Sequence, residues 1–143
     1  MDIKMDAAAL NTFLDQVFEQ VAGDFTVEEV APETLTVRLN VSYKHLRPGG
    51  TVSGPTLFAL ADVGAYLMTL ARIGPQALAV TTNCSIDFMR KPAAGVDLIG
   101  KVRLLKLGRQ LSVSDVLIYS EGVDAPVARA SLTYAIPPAK ASI

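Results

Sequence analysis

Three hydrophobic periods succeed one another along the chain. Between residues 6 and 22, Leu10, Phe13, Leu14, Val17, Phe18 and Val21 recur every three or four positions, so they share one face of an amphipathic helix that Gly23 ends. A short strand is expected near residues 25–30. From 34 to 43 the period falls to two: Leu35, Val37, Leu39, Val41 and Tyr43 point one way, and Thr34, Thr36, Arg38, Asn40 and Ser42 the other. That alternation predicts a strand with one buried face. From Pro55 to Arg72 no polar face remains, and only Asp62 and Arg72 carry charge. A helix apolar on every side is normally buried. Ser53 suits its N-cap and Pro55 its first turn, while Gly74 and Pro75 stop it.

Four strands are expected in the remainder, near 78–90, 96–107, 110–121 and 126–136, separated by turn residues around Pro92 and Gly95, at Gly108 and at Gly122. Such short connections favour antiparallel neighbours. The order is helix, strand, long buried helix, four strands: an α+β chain. A curved antiparallel sheet wrapped around the long helix covers most of it, and a second subunit is the natural cover for the side left bare.

Composition narrows the class. The 143 residues suit one domain spanning 1–143, and a 50% hydrophobic content with mean hydropathy +0.35 suggests extra apolar surface buried between subunits. A net charge of −1 leaves no basic field for nucleic acid. Cys84 is the single cysteine, which excludes an internal disulfide and a cysteine-rich metal site, and it fits a reducing, cytoplasmic setting. The charged start, Met1 to Asp6, does not read as a secretory signal. Residues 55–72 approach membrane-spanning length, but Asp62 near the middle and the missing cationic flank before it argue against a span. The tail from Pro137 to Ile143 reads as a loose end.

Asp62 is the anomaly in this pattern. Burying an unpaired carboxylate costs several kcal/mol, so a carboxylate placed mid-helix among apolar residues is a candidate catalytic group. The alternative is a polar residue satisfied by backbone or water at a subunit seam.

Longer motifs give the pattern a family likeness. Leu60-Ala61-Asp62 follows Ser53-Gly54-Pro55 with Asp62 nine residues after Ser53, and Gly50 stands three residues before it. Thr81-Thr82-Asn83 opens a strand that reaches Lys91-Pro92 and Gly95, and Leu107-Gly108-Arg109 marks a later hairpin. Over residues 34–136 this resembles the PaaI-like acyl-CoA thioesterases of the hotdog fold. In that family a His-Gly-Gly stands where this chain has Ser53-Gly54-Pro55, and Asn or Gln is common at the position of Arg47. The resemblance implies homodimers with long helices packed side by side, often paired again into tetramers, and sites at the subunit seam. It implies an acid on the helix as general base or nucleophile, here Asp62, and a helix-start glycine, here Gly54, polarising the carbonyl.

The residues around this frame each carry two readings. Backbone N–H groups in a first helical turn lack internal partners and can hold an oxyanion; Pro55 has none, which leaves Gly54 or Thr56. Ser53 either donates weakly to the acyl group or caps the helix. Arg47 either holds Asp62 ionised, binds a substrate carboxylate or phosphate, or is solvated. His45, the only histidine, is either a proton exchanger or structural. Tyr66, one turn past Asp62, either reaches the site or packs at the seam. By resemblance, one of Thr81, Thr82 and Asn83 hydrogen-bonds in the partner's site. Arg90, Lys91 and Arg109, with Lys106, either grip coenzyme A phosphates or are ordinary turn charges. Cys84 is expected to pack in the sheet.

The expected activity is hydrolysis of an acyl-CoA thioester without metal or cofactor, coenzyme A entering as part of the substrate. One alternative is a hotdog dimer that binds acyl-CoA or another apolar ligand without turnover. A third reading, a hydratase or dehydratase, requires His45 near Asp62. Because Gly54 and Asp62 lie about 12 Å apart along one helix at 1.5 Å per residue, the expected site takes its acid from one copy and its helix start from another.

Overall fold

The computed structural model describes residues 2–138. Six antiparallel strands form one sheet in the order β1-β2-β4-β5-β6-β3: β1 is Phe25–Val30, β2 Thr34–Leu39, β3 Val80–Phe88, β4 Leu98–Leu107, β5 Leu111–Ser120 and β6 Ala128–Ala135. Two α-helices, α1 (Ala7–Gln16) and α2 (Gly54–Ile73), complete the frame. The alternation in β2, β4, β5 and β6 sends Val37, Leu39, Val102, Val116, Ile118 and Leu132 to one face, where all are buried against α2. This is the hotdog arrangement: a sheet curved around one long helix. By length and composition α2 also passes as a membrane span, but 67% of its apolar window is buried against the protein's own strands.

Glycines bring helix and sheet together. A Cβ on Gly64 would lie 2.9 Å from Val102 Cγ2, and one on Gly100 would lie 3.2 Å from Val37 Cγ1. The outer face is polar, and there Arg38 bridges Glu28, Asp97 and Glu121 at 2.7 to 3.0 Å.

Two expected elements end early. The first helix stops at Gln16 rather than continuing to 22, and a 3₁₀ turn occupies Glu19–Val21. The break lets Phe18 leave helical geometry (φ −104°, ψ 56°) and set its ring edge-on to Tyr66 at 5.7 Å. Strand β2 stops at Leu39 rather than 43, because Ser42 and His45 form a capping box around a 3₁₀ turn at Tyr43–His45. Tyr43 is therefore 91% exposed, not on the buried face. Of the expected loose tail, residues 139–143 lie outside those described.

The sheet's two edges differ. At the β1 edge, the Asn11 side chain on α1 behaves like a strand: Nδ2 donates to the Val27 carbonyl at 3.0 Å, and Oδ1 accepts from the Val27 N–H at 2.8 Å. The β3 edge has no strand or helix bonded beyond it among the described residues.

Candidate active site

Asp62 lies midway along α2, on the side facing β3 and β6. Its Oδ1 accepts two hydrogen bonds, from Thr81 Oγ1 at 2.6 Å and from Tyr134 Oη at 2.8 Å. The same phenol oxygen lies 3.0 Å from the Asp62 backbone carbonyl, so its one proton is shared between the carboxylate and its own turn of helix in a three-centre bond. Oδ2 accepts no hydrogen bond from the described residues, and none of their lysines, arginines or histidines bonds to Asp62. Hydrogen bonds to an ionised acceptor are the strong ones, and here neutral hydroxyls supply them where a cation is missing. Burial first, and the Asp62 charge second, push the Tyr134 phenol upward, so it remains protonated and a donor.

A β-bulge brings Thr81 into place. Across β3 and β6, Thr81 faces Tyr134 and Asn83 faces Thr133, which leaves Thr82 as the extra residue. Thr81 and Cys84 consequently both point toward α2 although three positions separate them. Burial and then the Asp62 charge raise the Cys84 thiol, which keeps it protonated and packed, as expected. Thr82 and Asn83 are exposed, Thr82 Oγ1 donating to the Thr133 carbonyl at 3.3 Å. Thr81 thus bonds the acid of its own chain, where the resemblance implied the partner's site.

A cavity of about 270 Å³ opens beside the carboxylate, with Asp62, Thr81 and Tyr134 as polar lining and Val17, Phe18, Val63 and Val80 among its apolar walls. Tyr66 lines it too, its hydroxyl donating to the Ala77 carbonyl at 3.0 Å. The Tyr66 ring touches Tyr134 (5.8 Å between centroids), Phe18 and Phe13 (6.2 Å), forming an aromatic stack from α1 to β6.

The helix start forms the second part of the candidate site. Ser53 Oγ accepts from the Thr56 N–H at 3.4 Å and donates to Thr56 Oγ1 at 3.0 Å, so its hydroxyl caps α2. Leu57 N–H bonds the Ser53 carbonyl at 3.1 Å, and Pro55 has no N–H. The first-turn donor left without a partner among the described residues is Gly54. The preceding loop is clipped by a Leu46–Val52 bridge, with Gly49 and Gly50 in left-handed conformation (φ 102° and 82°) at its tip. Arg47 is exposed beside them and makes no side-chain bond within the described residues. His45 is buried, its Nδ1 accepting from the Ser42 N–H at 2.9 Å and its Nε2 3.7 Å from Asp24. That is a structural histidine, and it does not meet Asp62 within the chain.

The expected phosphate grip is not assembled in one place. Arg90 donates to the Pro126 carbonyl at 2.8 Å and Lys91 is exposed, both just past the end of β3 where Phe88 adjoins Gly54. Arg109 lines a different surface cavity with Lys4 and Ile73, at the far end of α2.

The profile of the Thioesterase superfamily matches residues 49–127. The chain belongs to that superfamily. Among solved structures, an inferred thioesterase of Silicibacter sp. TM1040 is 56% identical, with 96% of each chain covered and a TM-score of 0.90. The phenylacetic acid degradation protein PaaI of Thermus thermophilus, solved as a point mutant, is 27% identical over 88% of this chain and 99% of its own, with a TM-score of 0.68. An inferred esterase of Pseudomonas aeruginosa is 34% identical over 68% of this chain and 73% of its own. The span matched to the superfamily includes Gly54, Asp62 and Thr81 but ends before Tyr134.

Tyr134 is the site residue that sequence reasoning missed. Its signal was present: it sits on the buried face of β6 with Ala130 and Leu132, and a buried tyrosine hydroxyl needs a partner.

Proposed function

We propose that the protein hydrolyses acyl-CoA thioesters at a site formed by two copies, with Asp62 of one and the Gly54 N–H of the other. The observation that carries this reading is the Asp62 carboxylate, held without a cation, with Oδ1 fastened and Oδ2 without a hydrogen bond from the described residues, in a side chain that lines a cavity of about 270 Å³. Oδ2 accepts a proton from water as the water oxygen attacks the thioester carbon. The carbonyl oxygen takes the negative charge and is held by the Gly54 N–H at the positive end of α2. The carbon–sulfur bond then breaks, and the leaving thiolate takes the proton back from Asp62. In the nucleophilic variant, Oδ2 attacks the carbon and expels the thiolate, and water then cleaves the resulting anhydride at the Asp62 carboxyl carbon; label entering Asp62 in a single turnover in ¹⁸O-water would select that variant.

Dimerisation through β3 and α2 belongs to the same proposal. Pro55, Phe58 and Ala59 line one side of α2 that the sheet leaves uncovered, bordering Asp62, and Phe58, Val80 and Phe88 are 38%, 57% and 54% exposed around it. The occupant is a second α2, whose start would then lie by Asp62. Pairing into a dimer of dimers, and a cytoplasmic setting, follow the family resemblance and the composition. The test is Asp62→Asn on a panel of acyl-CoAs with detection of free thiol. A loss of about a hundredfold or more in kcat is expected; activity kept within a few fold would remove Asp62 from the chemistry.

A second reading has its own support. Ser53 occupies the family's histidine position, and its hydroxyl is engaged in the cap, so the helix start offers backbone donors alone. A non-catalytic acyl-CoA-binding dimer has that same lack. Saturable binding of acyl-CoA with no release of thiol over hours would select it.

A further inference from the structure

We infer that Tyr134 is a positioning residue for the Asp62 carboxylate, one that decides which of its oxygens meets the substrate. The inference rests on the hydrolase reading above and extends it to a residue outside the superfamily's matched span. A carboxylate on a helix turns about its terminal bond, and either oxygen can face outward. Here both hydroxyl donors converge on Oδ1. The Tyr134 phenol reaches the Asp62 carbonyl as well, which fixes the side chain relative to its own backbone. With Oδ1 occupied twice, Oδ2 is the oxygen presented to the cavity. The phenol is itself packed, its ring against Tyr66 and its residue on β6 opposite Thr81. The groups facing Asp62 are Thr81 and Cys84 from β3, Tyr134 from β6, and Tyr66 from α2, all uncharged, while α1 and the turn after it contribute Val17 and Phe18 to the cavity wall.

Tyr134→Phe deletes the hydroxyl and keeps the ring, so the stack on Tyr66 survives. In the protein we expect kcat to fall about 10- to 100-fold with KM changed by less than about threefold. Thr81→Val is expected to act in the same direction and Thr81→Ser to restore activity. A readout independent of turnover is the fluorine spectrum of protein carrying 3-fluorotyrosine at its four tyrosines, assigned by Tyr134→Phe. The Tyr134 resonance should move on Asp62→Asn while those of Tyr43 and Tyr119 stay. Unchanged kcat in Tyr134→Phe, or a Tyr134 resonance indifferent to Asp62→Asn, overturns the inference. If the unmodified protein releases no thiol from any acyl-CoA yet the Tyr134 resonance still moves on Asp62→Asn, the hydrolase reading fails and the positioning of Asp62 stands.

Discussion

Two glycines on α2 have opposite tasks, and the difference is measurable. Gly64 faces the sheet, where a Cβ would press within 2.9 Å of Val102. Gly64→Ala is expected to lower stability by about 1–3 kcal/mol, the usual penalty of overpacking, read as a lower denaturant midpoint. Gly54 has room: a Cβ there meets only the Phe88 ring at 3.7 Å. Gly54→Ala should leave the denaturant midpoint nearly unchanged yet, under the proposed mechanism, reduce kcat by crowding the approach to the helix start. Equal stability and equal turnover would show that the substrate does not pass close to the Gly54 Cα. At this scale Asp62 was legible in the sequence because a charge in an apolar run is conspicuous by itself. Tyr134 was not, since its meaning depends on pairing with Thr81 across β3 and β6, and that register is written in neither strand alone. The Ser53 cap was readable from local chemistry, which is why the structure reproduces it.

Among the elements, strict alternation located β2, and the turn residues around Pro92, Gly95, Gly108 and Gly122 located the strands that follow α2. The bulge at Thr82 left no such mark: Thr81, Thr82 and Asn83 are all polar, so a slip of one residue changes nothing in the pattern. The end of α1 was misplaced for a different reason. Val17, Phe18 and Val21 do continue the helical period, but the contact of Phe18 with Tyr66 overrides it. That override has a functional use, since Val17 and Phe18 become walls of the cavity beside Asp62. Phe18→Ala should shift preference toward longer acyl chains, raising kcat/KM for them relative to short ones by about tenfold, roughly the discrimination a few methylenes can give. A panel profile identical to that of the unmodified protein would place the acyl group elsewhere.

For the whole molecule, the excess of apolar residues in the composition has a location. Part of it lies exposed along the start of α2 and the inner face of β3, where Phe58, Ile86 and Phe88 surround a shallow depression with Gly54 and Pro55. Phe88→Lys places a charge there at a position already 54% exposed, so the fold should tolerate it. By light scattering the variant is expected at the 15.2 kDa of one chain, with hydrolysis lost in step. A monomer that keeps full activity would refute the shared site, and an unchanged mass would refute the interface.

The Asn11 fork bears on how far such association can go. A sheet with two open edges can add copies at both ends, and nothing stops the growth of a filament. Here the outermost backbone amide and carbonyl of Val27 are already answered by a side chain, and the adjoining Glu28 interrupts the β1–β2 register. In the proposed dimer the β3 ends of two copies meet and each turns its β1 end outward. The Asn11 fork then works against strand addition at that outer end, because the Val27 N–H and carbonyl are already engaged.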